Sequence, residues 1–317
     1  MRPSRLSFTI LFQAAILTLG VSASAFAQQP APKEDPQALV TEARQLTQDG
    51  QLAQAEATLS RALTVDPNSS EAHTRLGIVL DLVGKYPQAR EHLAKGLELA
   101  KKDQQNLALS ATAVSYVFDG KVAESAKYYQ RIFDQQMAEQ ELDDAAGTAN
   151  ALGRVYIEHG DLKHARQWYQ TGNETARKIS KLSSDQIDLW EMRWHHALSR
   201  LAARAKDQAT ADKEAAALKT LVDKNDENRK QMPIYHYLVG YNAFHLGDMD
   251  AALAALRQAN QDDIFIVALL AQAYEKKGDR ASAQPLYEKA AKSSTHNLNT
   301  AFVKALAERK VKDGASK

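Results

Sequence analysis

Residues 71–100 read EAHTRLGIVLDLVGKYPQAREHLAKGLELA, and this stretch decides the fold of the chain. It predicts two amphipathic helices joined by a short turn at Gly84-Lys85. A glycine fits the left-handed backbone position that ends a helix and lets the chain reverse. Small residues stand inside both helices, at Gly77, Ala89 and Gly96. We therefore interpret the stretch as a helix–turn–helix unit whose two helices lie close together.

The same turn pattern returns along the chain. A glycine before a polar or charged residue ends one amphipathic stretch and precedes another at six places: Gly50-Gln51, Gly84-Lys85, Gly120-Lys121, Gly160-Asp161, Gly247-Asp248 and Gly278-Asp279. The successive glycines are 34, 36, 40, 87 and 31 residues apart, and the longest interval fits two units. Self-similarity with a period near 34 residues indicates a helical solenoid.

The small residues of these units resemble those of the tetratricopeptide repeat (TPR) family. In that family small residues stand where helices approach to within roughly 8–10 Å. The matching positions are Gly77, Ala89, Gly96, Gly153, Ala165, Gly172, Gly240, Ala252, Ala259, Ala271, Ala283 and Ala290. The resemblance implies an all-α, right-handed superhelical solenoid of about seven TPR-like helix–turn–helix repeats plus a C-terminal capping helix.

Two units depart from the family pattern. The third carries Ser125 and Ile132 where smaller residues are usual, and its length predicts extended helices. The fifth turns at Lys206-Asp207 without a glycine, with Ser199, Ala211 and Leu218 at its small positions. After the seventh unit, Asn299 is expected to cap a last helix that covers the apolar end of the array.

The first 27 residues have the features of a secretory signal peptide. Arg2 and Arg5 precede a short apolar run that ends at Ala25-Phe26-Ala27, which predicts cleavage after Ala27. The alternative is an uncleaved membrane anchor, although about 14 apolar residues fall short of the roughly 20 that span a bilayer. We expect an exported protein that is periplasmic where the cell has two membranes.

The rest of the chain divides by its repeats. We expect a disordered spacer at 28–35, repeats one to five at 36–222, a charged loop or hinge at 223–232, repeats six and seven with the capping helix at 233–309, and a frayed tail at 310–317.

Composition and motifs argue against several classes of function. Forty Lys and Arg face 39 Asp and Glu, whereas a nucleic-acid-binding domain is strongly basic. The absence of Cys excludes disulfides, thiolate zinc sites, iron–sulfur clusters and cysteine nucleophiles. His195 and His196 point about 100° apart on a helix, which disfavours a shared metal ion. Because the repeats leave no room for a catalytic domain, we expect no enzyme activity, cofactor or metal.

The inner groove of the array is the predicted binding surface. TPR arrays line this groove with the first helix of each repeat, which implies a partner-binding set of Asn150, Arg154, Arg193, His196, Arg200, Arg204, Tyr237, Tyr241 and Phe244. The four basic residues from 193 to 204 are spaced by 3, 4 and 4, so they share one helical face. The alternatives are a solvated basic face and aromatic side chains that belong to the core between repeats.

These features predict an exported scaffold or adaptor that binds other proteins or peptides, including acidic or C-terminal segments. Arginine binds carboxylates through paired hydrogen bonds, and aromatic faces hold apolar side chains. One alternative is a structural subunit of an envelope-assembly or secretion complex. Another is a small-ligand receptor or enzyme with an enclosed pocket near His195 and Arg200. Self-association through array ends also stays open.

Overall fold

The structure is a computed structural model that describes residues 34–315. The expected signal peptide and most of the 28–35 spacer lie outside the described residues. Within residues 34–315 the secondary structure is helical, without a β-strand. No helix in this range combines the length and apolar character that a membrane span requires.

The described residues form sixteen helices. Their bounds are α1 Pro36–Gln48, α2 Leu52–Val65, α3 Ser70–Leu82, α4 Tyr86–Leu99, α5 Lys102–Phe118, α6 Val122–Ala138, α7 Leu142–Glu158, α8 Leu162–Ala176, α9 Ser184–Arg204, α10 Gln208–Val222, α11 Asp226–Arg229, α12 Met232–Leu246, α13 Met249–Leu256, α14 Ile264–Lys276, α15 Arg280–Ala291 and α16 Leu298–Ala315.

The helices pack as consecutive pairs that stack into a right-handed superhelical solenoid, as the sequence predicts. The seven pairs are α1 with α2, α3 with α4, α5 with α6, α7 with α8, α9 with α10, α12 with α13, and α14 with α15. First helices of successive pairs contact one another, as α1 does with α3, α3 with α5, α9 with α12 and α12 with α14, and α16 packs on the last pair.

The turns between paired helices depend on left-handed backbone conformations. All six glycines of the repeated Gly–polar pattern have positive φ, between 67° at Gly120 and 104° at Gly247. Lys206 occupies the equivalent place after α9 with φ 64°, and Gln140 has φ 60° in the turn from α6 to α7, which joins two successive pairs. The helix pairing imposes this conformation even where no glycine favours it.

The predicted small positions are buried where paired helices meet. At Gly77 a Cβ atom would lie 2.5 Å from Leu93 Cγ and 2.9 Å from the backbone oxygen of Ala89.

In the third and fifth pairs a serine replaces the small residue and forms a hydrogen bond across the interface between the two helices. Ser125 Oγ donates to Ala113 O at 2.8 Å, and Ser199 Oγ donates to Ala211 O at 2.7 Å. The serines thus keep the close approach by satisfying a buried carbonyl.

The charged segment 223–232 is tied to α9. It contains the short helix α11, and its Asn228 is only 3% exposed. The Asn228 side chain donates to Asp188 Oδ2 at 2.8 Å, and Lys224 Nζ donates to the same oxygen at 2.8 Å. We expected a charged loop or hinge here, and the structure shows a segment that a buried amide holds against α9.

The C-terminal segment returns to the first helices of the early repeats. Ser294 Oγ donates to Gln48 O at 3.3 Å, and His296 Nε2 lies 2.9 Å from Asp81 Oδ2. The His296 ring also stacks on Phe118, with centroids 5.3 Å apart. We call residues 294–302 the C-terminal bracket, because they join the last repeat to the first three.

Apolar contacts continue the bracket into α16. Its Leu298, Ala301 and Phe302 pack against a core cluster that includes Val117 and Phe118 of α5.

The helix is capped by Asn297, whose Oδ1 accepts from Thr300 N at 3.0 Å, and not by Asn299 as the sequence had indicated. It runs to Ala315, past residue 310 where we expected a frayed tail, and Lys310 Nζ pairs with Glu275 at 2.6 Å.

Gly77 provides a test of the close helix approach. Gly77→Val would push a branched side chain into Ala89 O and Leu93, so we expect a loss of about 1–3 kcal/mol in the free energy of unfolding. The matched control is Gly147→Val, because a Cβ there meets nothing within 4 Å. Urea denaturation followed by circular dichroism measures both. Equal stabilities of the two variants would contradict the packing argument.

A candidate binding pocket on the concave face

The basic face of α9 is directed toward α7 and α12, because Arg200 contacts Glu158 of α7 and Arg204 contacts Tyr241 of α12. Ser199 and Ala211 meet at the α9–α10 interface, which fixes the rotation of α9. Arg193 remains exposed, and its guanidinium lies 4.3 Å from the ring centroid of the buried Trp190. Further along the helix, Arg200 and Arg204 are enclosed by α7 and α12.

Arg200 is a buried charge held by specific partners. Its side chain is 3% exposed, and its Nη2 donates to Glu158 Oε1 of α7. Arg204 Nη1 lies 3.6 Å from the other oxygen of Glu158. The Arg200 guanidinium also covers the Tyr241 ring at 4.5 Å. Because removing one partner would strand a buried charge, this cluster fixes α7, α9 and α12 relative to one another.

Three residues of the predicted groove set lie in this packed interior and not on the pocket wall. Tyr241 is fully buried and Phe244 is 7% exposed, both within the core around α12 to α15. The Arg204 side chain, 19% exposed, is engaged by Glu158 and donates to Tyr241 Oη at 3.3 Å. Tyr241 and Phe244 therefore occupy the core between repeats, which was the alternative to a place on the groove surface.

The other six predicted residues line one cavity of about 670 Å³. They are Asn150, Arg154, Arg193, His196, Arg200 and Tyr237. Tyr129, Tyr169, Asp143, Asp144, Asp263 and Leu298 of the C-terminal bracket complete the wall, among others. The cavity therefore lies between α7, α9 and α12, with α16 at one side.

Arg154 connects the cavity to the C-terminal bracket. Its Nη1 donates to Asn299 Oδ1 at 2.5 Å, and Asn299 Nδ2 donates to Asp263 Oδ2 at 2.9 Å. The guanidinium lies 4.8 Å from the ring centroid of Phe265 and 5.4 Å from that of Phe302. The bracket thus holds Arg154 in one orientation beside the cavity.

Buried polar atoms without a hydrogen-bond partner concentrate at this cavity. Residues 34–315 contain six such side-chain atoms, and four belong to residues of the cavity wall. These are Arg154 Nε, His196 Nε2, Arg200 Nε and Tyr237 Oη. Since a buried donor without a partner is costly, the clustering of four distinguishes this cavity from the rest of the described chain.

A second cavity, of about 760 Å³, lies between α15 and α16. Three polar side chains on its wall are partnered with one another, because Glu275 accepts from Lys310 Nζ at 2.6 Å and from Tyr287 Oη at 2.8 Å. It therefore has less to offer a polar ligand than the cavity beside α9.

Burial, and after it the positive charge of the arginines, shifts the pKa values of the groups around the cavity. Burial, then Arg200 and Arg154, hold the pKa of His196 well below its usual value, so His196 is neutral at pH 7. Burial, then chiefly Arg204 and Arg200, lower the pKa of His245 to about 3. Burial raises the pKa of Tyr237, so its hydroxyl stays protonated. The cavity wall thus carries three arginines and three aspartates, with a neutral imidazole and a protonated tyrosine among them.

Sequence reasoning missed Glu158, Asp263 and Asn299. Glu158 stands four residues after Arg154 on α7, and that spacing could have placed both on one helical face. Asn299 and Asp263 carry no such local signal, because their contact with Arg154 depends on how the chain ends come together. No group of three or more His, Asp or Glu side chains within residues 34–315 could hold a metal ion.

Comparison with known proteins identifies the family. Residues 46–112, 110–172 and 266–297 match sequence profiles of the tetratricopeptide repeat, and together they cover half of the 317 residues. The chain therefore belongs to the tetratricopeptide repeat family. No curated protein matches it in sequence.

Solved structures share the fold. A tetratricopeptide repeat protein from Parabacteroides merdae has a TM-score of 0.51 at 14% identity, over 87% of this chain and 97% of its own. The apo form of RapI has a TM-score of 0.57 at 11% identity, over 88% of this chain and 99% of its own. At such identities the likeness establishes the architecture, and the binding chemistry has to be argued from the pocket.

The lowered pKa of His245 predicts that the stability of the fold depends on pH. In the unfolded chain its pKa is near 6.5, whereas in the fold it is about 3. Below pH 6.5 the unfolded chain takes up a proton that the folded chain does not, so stability falls as the pH falls. We expect His245→Gln to remove about 1 kcal/mol of the wild-type loss between pH 7.5 and pH 5.5. Urea denaturation at both pH values measures it, and identical losses in the two proteins would refute the assignment.

Proposed function

We propose that the protein is a non-catalytic TPR scaffold that binds an acidic polypeptide segment in the pocket lined by Arg154, Arg193 and Arg200. The observation that carries this proposal is the cavity of about 670 Å³, whose wall brings these three arginines together with Tyr129, Tyr169 and Tyr237. The concave faces of helical-repeat arrays serve as extended binding surfaces. The arginines supply charge-assisted hydrogen bonds to carboxylates, and the tyrosines supply apolar contact area.

The C-terminal bracket limits how a partner enters. Its apolar residues already cover the inner surface of α5, and Leu298 forms part of the cavity wall. An extended peptide running the whole length of the groove would have to displace α16. We infer that the partner inserts one end or one tight loop into the cavity, and that the rest of it contacts the exposed rim.

Export is part of the proposal and rests on residues 1–27 alone. Their positive start, short apolar run and Ala25-Phe26-Ala27 end support delivery of the chain out of the cytoplasm. N-terminal sequencing of the protein from the exported fraction tests this, with Gln28 as the expected first residue. A protein that remains in the cytoplasm would contradict export and leave the binding proposal standing.

Arg193 provides the cleanest test of partner binding. It lines the cavity yet is exposed, so Arg193→Glu reverses a charge without stranding a buried partner such as Glu158. The matched control is Arg166→Glu, an exposed arginine of α8 outside the cavity. We expect affinity capture from the exported fraction to lose its partner at least tenfold with Arg193→Glu and to keep it with Arg166→Glu. Equal recovery with the two variants would place binding elsewhere.

A further inference from the structure

We propose that a pocket between the end of α8 and the start of α9 binds an aliphatic side chain of the acidic segment that occupies the cavity beside α9. This second contact rests on the proposed function, because it belongs to the same partner. The pocket has a volume of about 360 Å³, and its wall includes Ile179, Leu182, Ile187 and Trp190. We call it the α8–α9 pocket.

The apolar wall of the α8–α9 pocket is open to solvent. Ile187 is 49% exposed, more than any other large apolar side chain within residues 34–315. Ile179 and Leu182 are partly buried and pack against the buried Trp190. A single exposed apolar side chain is common on a protein surface, whereas several around one concave pocket are typical of a binding site.

Backbone contacts hold the α8–α9 pocket in shape. Ile179 N donates to Ala176 O at 3.1 Å, which extends the last turn of α8 into the connection. Ser183 caps α9, since its Oγ accepts from Gln186 N at 3.3 Å and its N–H donates to Gln186 Oε1 at 2.8 Å. Between these two contacts the chain reverses at Lys181, whose φ is 65°. A partner therefore meets a preformed pocket, which lowers the entropy lost on binding.

Trp190 and Arg193 join the α8–α9 pocket to the cavity beside α9. Trp190 lies on the wall of the pocket, and Arg193 lies on the wall of the cavity. The Arg193 guanidinium is 4.3 Å from the ring centroid of Trp190, so one stacked pair of side chains separates the two recesses. A segment with an acidic residue at Arg193 can thus place a nearby apolar residue in the pocket.

The charges around the α8–α9 pocket match an acidic partner. Arg177 and Lys181 lie on its wall with a single acid, Glu191, whose Oε1 accepts from Arg177 Nη2 at 3.2 Å. Lys178 and Lys181 are exposed, and neither has an ion-pair partner within residues 34–315. Acidic residues on either side of an apolar one would complement this positive charge, whereas a basic segment would be repelled.

The size and chemistry of the α8–α9 pocket suit one apolar side chain. Its volume of about 360 Å³ is near the lower limit of the range of about 300–1,000 Å³ that is typical of ligand pockets. None of the buried polar atoms that lack a partner within residues 34–315 belongs to its wall. The pocket therefore offers apolar contact area, and no buried group in it calls for a polar ligand.

The test uses the full chain and two pools of acidic nonapeptides, acetylated and amidated at their ends. Asp, Glu, Ser and Gly vary around a fixed central residue, which is Leu in one pool and Ala in the other. Fluorescence anisotropy measures the affinity of each pool. We expect the Leu pool to bind about tenfold more tightly than the Ala pool, because Leu buries three more carbon atoms in the pocket.

Ile187→Asn is the key variant, because it removes an exposed apolar side chain from the pocket wall without adding a charge. We expect it to reduce the preference for Leu to about twofold or less. The matched control is Ile234→Asn, which changes a 42% exposed isoleucine in the first turn of α12 outside the pocket and should keep the preference. Arg193→Glu should weaken both pools alike. Circular dichroism confirms that each variant folds.

The outcomes separate this pocket from the cavity beside α9. Equal affinities of the two pools for the wild type, or no binding of either up to millimolar concentration, overturn the α8–α9 pocket. A preference for Leu that survives Ile187→Asn, or that Ile234→Asn also removes, overturns it too. If Ile187→Asn abolishes the preference and Arg193→Glu leaves both affinities unchanged, the pocket is supported and the cavity is overturned as the partner's site.

Sedimentation measures the other candidate occupant, a second copy of this chain. We expect the wild type and Ile187→Asn to sediment alike. A dimer that Ile187→Asn dissociates and Ile234→Asn does not would assign the α8–α9 pocket to self-association, which would overturn its role in binding an acidic segment.

Discussion

The structure depends on the close approach of paired helices at their small residues. Gly77 and Gly96 illustrate the constraint, since even a Cβ atom would lie 2.5 Å from Leu93 Cγ at Gly77 and 2.4 Å from Thr74 Oγ1 at Gly96. The short distance within each pair lets successive pairs stack with a small rotation, and these rotations accumulate into the superhelix. Accumulated curvature turns the first helices inward and brings the C-terminus back to the early repeats. The pocket exists because that inward surface is only partly covered by α16.

Local sequence patterns predicted those features that local physics determines. The repeat period, the six turn glycines and the shared face of the basic residues on α9 each depend on residues within one helix pair. The Lys206 turn was placed correctly without a glycine, because the flanking helical patterns located it. The family itself was visible in the small residues, and the pairing of helices follows from them.

Features that join distant repeats were not predictable from the sequence. The pairing of Arg200 with Glu158 spans 42 residues, and that of Arg154 with Asn299 spans 145. Such contacts depend on the rotations of several successive repeats added together. No sequence pattern within one repeat specifies that sum. For this reason Asn299 was taken for a helix cap, and Tyr241 and Phe244 were placed on the groove surface when they belong to the core.

The C-terminal bracket changes how the array should unfold. In an open solenoid each repeat touches only its neighbours, so the ends can fray independently and the chain behaves as a one-dimensional series. Here Ser294 meets Gln48 across 246 residues and His296 meets Asp81 across 215. These contacts connect the first and last repeats, so loss of one end removes support from the other. The array thereby acquires the cooperativity of a closed domain, and the cavity beside α9 keeps its shape only while both ends are folded.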